Sequence, residues 1–183
     1  MKKGELIEIV DYSNAWPEEF SALGQLLRST LGATALRIDH IGSTSIPELA
    51  AKPIIDVQVS VASLEPVEPF GAPLEALGYI WRRDNPDLTK RYFRENLGER
   101  RTHIHVRKLG SWHQQFPLLF RDYVRLHVED RQKYERIKRA LAKKFRADRQ
   151  AYTDAKKPIF WEIIARANDW ASATGWEPGP PDA

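Results

Sequence analysis

Residues 36–59, LRIDHIGSTSIPELAAKPIIDVQV, decide how this chain is read. Leu36, Ile38 and Ile41 form a short β-like stretch that runs into Gly42. Ser43, Thr44 and Ser45 follow this glycine, a residue that lets backbone approach a ligand closely. A turn of this kind aims successive N–H groups at an anion. A helix is expected next, with Pro47 in its first turn and Ser45 or Ile46 at its cap, and its N-terminus would add to the attraction. After Lys52 and Pro53 the run IIDVQVSV is rich in β-branched residues, the composition of a buried strand. Asp56 and Gln58 share one face of it. A carboxylate inside an apolar strand costs several kcal/mol unless it is paired or holds a cation. Gly-Ser-Thr-Ser is also an ordinary turn composition, and Asp56 has a plain alternative as a cap. An anion loop beside a metal-holding carboxylate is nevertheless the minimum equipment for phosphoryl or nucleotidyl chemistry.

Upstream, Leu6 to Val10 alternates apolar and acidic residues and reads as a strand. Asp11, Ser13 and Asn14 break it, and Pro17 fits the first turn of a helix. Phe20, Leu23, Leu27 and Leu31 line one face of that helix, and Gly32 sits where a terminating glycine belongs. Downstream, Pro66, Pro69 and Pro73 predict a broken connection leading to a helix near Leu74 to Leu77, ended by Gly78, with GYIWRR starting a strand. Arg91 to Arg94 and Thr102 to Arg107 read as two strands joined by ENLGER. In the second of these, His103, His105 and Arg107 share one face and Ile104 and Val106 the other, as in a half-exposed strand.

From Ser111 the pattern turns helical. Phe116, Phe120, Tyr123 and His127 make one stripe, Tyr134, Ile137, Leu141 and Phe145 a second, and Ile159, Ile163, Ala167 and Trp170 a third. Between Arg131 and Arg149 cationic residues far outnumber acids, which reads as a solvated face or as a surface that steers an anionic substrate. The proline-rich stretch 175–183 reads as a disordered tail. The pattern predicts one α/β domain over residues 1–174, a mixed sheet with a helical C-terminal half.

The 183 residues, 42% hydrophobic and 29% charged, describe an ordinary globular chain with a real core. A net charge of +3 is too small to imply nucleic acid. With no cysteine, disulfides, thiolate metal sites and cysteine nucleophiles are excluded. The opening MKKGELIEIVDYS is interrupted by Glu5 and Glu8 and does not read as a leader, and no apolar run is long enough for a membrane span; a cytoplasmic protein is the expectation.

The stretch HIGSTSIPELAAKPIIDV resembles the signature of the GrpB-like family, within the nucleotidyltransferase-fold superfamily. The resemblance continues in RYF (91–93), HIHV (103–106), FRDYVRLH (120–127) and Tyr152 to Lys156. It implies a nucleotidyltransferase-like mixed sheet and metal-dependent transfer of a nucleoside monophosphate from a nucleoside triphosphate to an acceptor. Gly42, Ser43 and Asp56 match the superfamily's Gly-Ser pair and strand carboxylate, while Gln58 stands where active members carry a second carboxylate. The resemblance makes Asp56 the catalytic metal ligand and Gly42, Ser43, Thr44, Ser45 and Lys52 the phosphate cradle. Lys90, Arg91 and Arg107 are further cationic candidates. His40, His103 and His105 are candidate ligands beside Asp56; a magnesium or manganese ion is implied, and zinc if the histidines take part. The alternative is a protein that binds a nucleotide or phosphorylated metabolite without turning it over. A nucleic-acid module is disfavoured by the lack of any recognition signature, and a serine hydrolase by the lack of a G-x-S-x-G elbow.

Overall fold

The computed structural model describes residues 6–183; residues 1–5, part of the stretch weighed above as a leader, lie outside the described residues. In chain order the elements are α1 (Ala15–Leu31), β1 (Arg37–Ile41), β2 (Ile55–Val61), α2 (Glu68–Ala76), β3 (Ile80–Trp81), β4 (Lys90–Arg94), β5 (Thr102–Lys108), α3 (Trp112–Leu126), α4 (Val128–Lys144) and α5 (Arg149–Thr174). The sheet order is β1-β2-β5-β4-β3, with β2 and β5 parallel and the other pairs antiparallel. The architecture is the expected α/β fold with a mixed sheet and a helical C-terminal half. None of the described helices is long and apolar enough to cross a membrane.

Strand periodicity gives the sheet two unlike faces. On one, Ile38, Val57, Val59, Phe93, Ile104 and Val106 pack with Trp16, Phe20 and Leu27 of α1 and Phe70 and Leu74 of α2 into the main apolar core. Each such side chain, fully buried, contributes about 1.5–3 kcal/mol relative to exposure. The other face carries Asp39, Asp56, Gln58, Ser60, His103, His105 and Arg107, brought into neighbouring positions by the register of β1, β2 and β5. The expectation of a half-exposed strand for β5 does not hold. His103 and Arg107 are buried, because α3, α4 and α5 cover this side and build a second core from Ile46, Leu49, Phe120, Tyr123, Ile163 and neighbours.

Three local expectations change. Leu6 to Val10 forms no strand, only a single bridge between Val10 and Ala51. No helix follows the hydroxyl loop: Ser43–Ser45 is one 3₁₀ turn and Ile46 is extended at φ −108°. A residue before proline is pushed out of the helical region, and Pro47 does this to Ile46. Third, α2 begins at Glu68, earlier than the prolines suggest, since Pro69 occupies the first turn, where a missing N–H costs nothing.

The stretch after Gly175 has no regular structure but is anchored. The N–H groups of Asp182 and Ala183 donate to the Ile38 carbonyl at 3.1 Å, and the Asp182 carboxylate accepts from the His40 N–H at 2.9 Å. The tail thus covers the open edge of β1, a row of unpaired backbone groups that composition does not reveal. Asp182 also accepts from buried Arg121 at 2.6 Å. Asp182→Ala is therefore expected to lower stability by about 1–2 kcal/mol, the scale of a charge-assisted hydrogen bond. Urea unfolding measures this, and an unchanged midpoint would mean the tail is not anchored.

Candidate functional site

Asp56 lies at the start of β2, directly beside His103 of β5 in register, with Gln58 beside His105 one pleat further on. All four side chains project from the polar face. His103 Nδ1 is 3.1 Å and His105 Nε2 3.4 Å from the same Asp56 oxygen, Oδ1. The three ligand atoms lie within 4.8 Å of one another. Burial pushes the Asp56 carboxyl up, but hydrogen bonds with His103 and His105 outweigh it and hold it well below the usual carboxylate range. Burial takes the His105 imidazole down to about 4 despite the upward pull of Asp56, leaving it neutral near pH 7 with a lone pair to offer. An ionised carboxylate flanked by imidazole nitrogens is a donor set that fits a divalent cation.

Gly42 holds the loop against this carboxylate. Its φ is +72°, and a Cβ added there would stand 2.6 Å from Asp56 Oδ2. Both the backbone conformation and the contact therefore require glycine. The glycine inferred as a route for ligand approach is needed first for the loop to pass Asp56.

Beside Asp56 and His103 opens a cavity of about 190 Å³, lined also by Ser43, Thr44, Tyr152 and four cations, Lys52, Lys138, Arg149 and Lys156. The Lys52 ammonium sits 4.3 Å from the Tyr152 ring centroid and the Lys156 ammonium 5.7 Å from it. Burial, with Arg149 and Lys156 adding repulsion, brings Lys52 down to about 8. Lys138 is 2% exposed; its Nζ donates to Ser43 Oγ at 3.0 Å and to the Ala50 carbonyl at 2.5 Å, with no carboxylate in hydrogen-bond reach among the described residues. Burial, reinforced by Lys156, holds it well below the ordinary lysine range. Four cations crowded around a small cavity, two of them with pKa lowered by burial, call for an anion.

The sequence candidates separate as follows. Ser43 faces the cavity with its hydroxyl against Lys138. Thr44 lines it, but its hydroxyl donates to the Ile54 carbonyl at 3.0 Å. Ser45 turns back to donate to the Gly42 carbonyl at 2.6 Å, so it shapes the turn. His40 pairs in register with Val57 and so leaves on the opposite face from Asp56. Its ring stacks on Phe20 at 4.6 Å, and its Nε2 is 3.1 Å from Thr44 Oγ1, outside the Asp56 cluster. Arg91 likewise pairs with Val106, leaves on the apolar side, and is bound to Glu65. Arg107 is on the polar face, one pleat beyond His105. Gln58 donates to the Gln114 carbonyl at 2.8 Å and so pins α3 to the sheet.

Lys138, Arg149, Tyr152 and Lys156 were not among the candidates. The basic run 131–149 and the Tyr152 to Lys156 stretch signalled them, but which cations turn inward is set by helix packing.

The family model described as GrpB protein matches residues 6–166. This chain belongs to the GrpB family. A UPF0157 protein of Pseudomonas aeruginosa is 38% identical over 165 residues, covering 88% of this chain and 67% of that protein. A dephospho-CoA kinase of Mycolicibacterium paratuberculosis is 32% identical over 199 residues; the match takes in 94% of this chain but only 48% of the kinase. The crystal structure of the conserved protein GrpB from Enterococcus faecalis superposes with a TM-score of 0.78 at 32% identity, over 87% of this chain and 98% of that one. A cytoplasmic RNA terminal U-transferase shares the fold at a TM-score of 0.53 and 16% identity, over 73% of this chain and 43% of that enzyme. The GrpB chain thus has a nucleotidyltransferase-like fold.

Two outcomes follow from the geometry. Gly42→Ala is expected to cost about 1–3 kcal/mol, from a strained φ and displacement of Asp56, read by chemical denaturation. The pH dependence of anion binding follows from Lys52. Its folded-state pKa is below its unfolded value, so holding it charged opposes folding below about pH 8, and that penalty is relieved as pH rises from about 8 towards the unfolded value. An anion offsets the penalty only while Lys52 is protonated. Stabilisation by tripolyphosphate should therefore be larger at pH 7 than at pH 9, and a pH-independent thermal shift would remove Lys52 from the site.

Proposed function

We propose that this GrpB chain transfers a nucleoside monophosphate from a nucleoside triphosphate to an acceptor, with a divalent cation on Asp56, His103 and His105. One juxtaposition carries the reading: Asp56 and His103 belong both to the ligand cluster and to the wall of the cationic cavity. The cluster and the phosphate site are therefore parts of one floor. A bound cation would supply charge neutralisation at the transferring phosphoryl group. Two imidazoles and one carboxylate suit zinc or manganese better than magnesium.

The protein's own part is positioning and electrostatics. Lys52, Lys138, Arg149 and Lys156 take the terminal phosphates, with Ser43 adding its hydroxyl. As the acceptor oxygen bonds to the α-phosphorus, the bond to the bridging oxygen breaks and pyrophosphate leaves; the lysines and arginine hold the charge that develops on it. α4 and α5 close one side of the cavity, which keeps Lys138 poorly hydrated and its attraction strong.

A second reading, binding without turnover, is favoured by Gln58. Its amide is committed to the Gln114 carbonyl, and among the described residues Asp56 is the one carboxylate of the cluster. The relatives named dephospho-CoA kinase also keep a phosphorylated small molecule among the ligand classes.

Thermal stability with ATP, GTP, CTP or UTP, each with zinc, manganese, magnesium or no metal, tests the site. A ligand at one hundred times its Kd raises stability by about 2.7 kcal/mol through linkage. A metal-dependent rise is expected for wild type and its loss for Asp56→Ala, whose unliganded fold is retained. Pyrophosphate release on adding candidate acceptors separates transfer from binding. Equal shifts in wild type and Asp56→Ala would refute the assignment.

A further inference from the structure

The polar floor continues past His105. Across β4 and β5, Tyr92 stands opposite His105 and Lys90 opposite Arg107, and Ser60 of β2 is the other register neighbour of Arg107. Arg107 is 6% exposed, yet its charge is thinly compensated. Its Nη1 donates to Thr89 Oγ1 at 3.2 Å, and its Nη2 is 3.9 Å from Asp87. Lys90 reaches the same Asp87 carboxylate at 3.4 Å, so two cations share one carboxylate. Arg107 Nε and Ser60 Oγ are buried with no partner among the described residues. A native fold leaves few such groups, and a buried guanidinium is among the more costly to leave unpaired.

Aromatic rings stand beside these cations. The Lys90 ammonium is 5.1 Å from the Tyr92 centroid, and the Arg107 guanidinium is 5.8 Å from that of Phe116. Tyr92 in turn lies 5.1 Å from the His105 ring, tilted by 30°. Phe116 leads outward to Trp161, at 6.1 Å between centroids, and Trp161 is half exposed. The cations of the phosphate cavity lie at the opposite end of the same floor, on the far side of the Asp56 cluster.

We propose that Lys90, Arg107, Tyr92 and Phe116 form a second subsite for the acceptor, a small molecule that joins an anionic group to a planar ring. The proposal rests on the transfer reading above. Lys90 and Arg107 take the anion, with Ser60 as an additional polar partner, and the ring lies against Phe116 or Tyr92. A phosphate and a carboxylate satisfy the same chemistry, so the anion's source is left to the test.

Calorimetry with AMP, benzoate, adenosine, inorganic phosphate and tripolyphosphate decides it, using wild type, Arg107→Gln, Arg107→Lys, Phe116→Leu and Lys52→Gln. With tripolyphosphate saturating the cationic cavity, AMP or benzoate should still bind wild type. Arg107→Gln should weaken the bound one about ten-fold, Arg107→Lys less, and Phe116→Leu several-fold. Tripolyphosphate affinity should be unchanged in these variants and reduced in Lys52→Gln. Preferential binding of AMP identifies a phosphate, and of benzoate a carboxylate. If neither binds, or if binding ignores both Arg107→Gln and Phe116→Leu, the subsite is wrong. Failure of tripolyphosphate to bind wild type would instead overturn the transfer reading.

Discussion

An ionised carboxylate on the central strand of a sheet must be compensated, and most of this fold follows from how Asp56 is compensated. His103 and His105 reach it because β2 and β5 run parallel in a register that places one histidine beside it and the other one pleat away. The loop after β1 can pass it only through Gly42, where any side chain would collide with the carboxylate. The remaining polar side chains on that face need cover, which α3, α4 and α5 provide, and Gln58 also finds its partner there, at the Gln114 carbonyl. The same helices bring Lys138, Arg149 and Lys156 to the carboxylate's side. Asp56 is thus the one carboxylate that the two histidines and the cavity cations share.

The two faces of the sheet are held by different forces. The α1–α2 side is apolar and closes mainly by burial. The C-terminal helices are fixed by directed bonds at points where the sheet or loop offers an acceptor. Gln58 donates to the Gln114 carbonyl, Arg121 to the His40 carbonyl, Arg125 to the Ser45 carbonyl and Lys138 to the Ala50 carbonyl. Such bonds fix position more than they add stability. A site assembled from a sheet and a separate helical layer needs that positional control. Its price is two desolvated lysines, Lys52 and Lys138, whose charge opposes folding until an anion arrives, the usual conflict between a stable core and a prepared site.

Strand alternation made the face shared by Asp56 and Gln58, and that shared by His103, His105 and Arg107, readable from sequence. The same parity was available for His40 and Arg91 but required knowing which residues pair. With His40 opposite Val57 and Arg91 opposite Val106, both leave from the wrong face. The helix expected after Ser45 failed on a local rule, since Pro47 disfavours helical geometry at Ile46. The cationic cavity was the least readable part. A run of lysine and arginine on an amphipathic helix looks solvated unless one knows that Lys138 turns towards Ser43 from 95 residues away. The tail was misread because composition reports what a segment lacks, whereas its order comes from the unpaired edge of β1.

Gln58 bears most directly on chemistry. The resemblance read from the sequence implies a second carboxylate there, whose charge would lower that of any bound cation. Here the position holds a neutral amide turned towards α3, and the other two donors are imidazoles, His105 being neutral near pH 7. A divalent cation on this set would keep most of its positive charge. Beside it stand Lys52, Lys138, Arg149 and Lys156, with no carboxylate but Asp56 on the cavity wall among the described residues. The combined field favours ligands with several negative charges close together and disfavours neutral or singly charged ones. Under the proposed function, the neutral Gln58 and the gathered lysines act in one direction, towards a polyphosphate at one end of the floor.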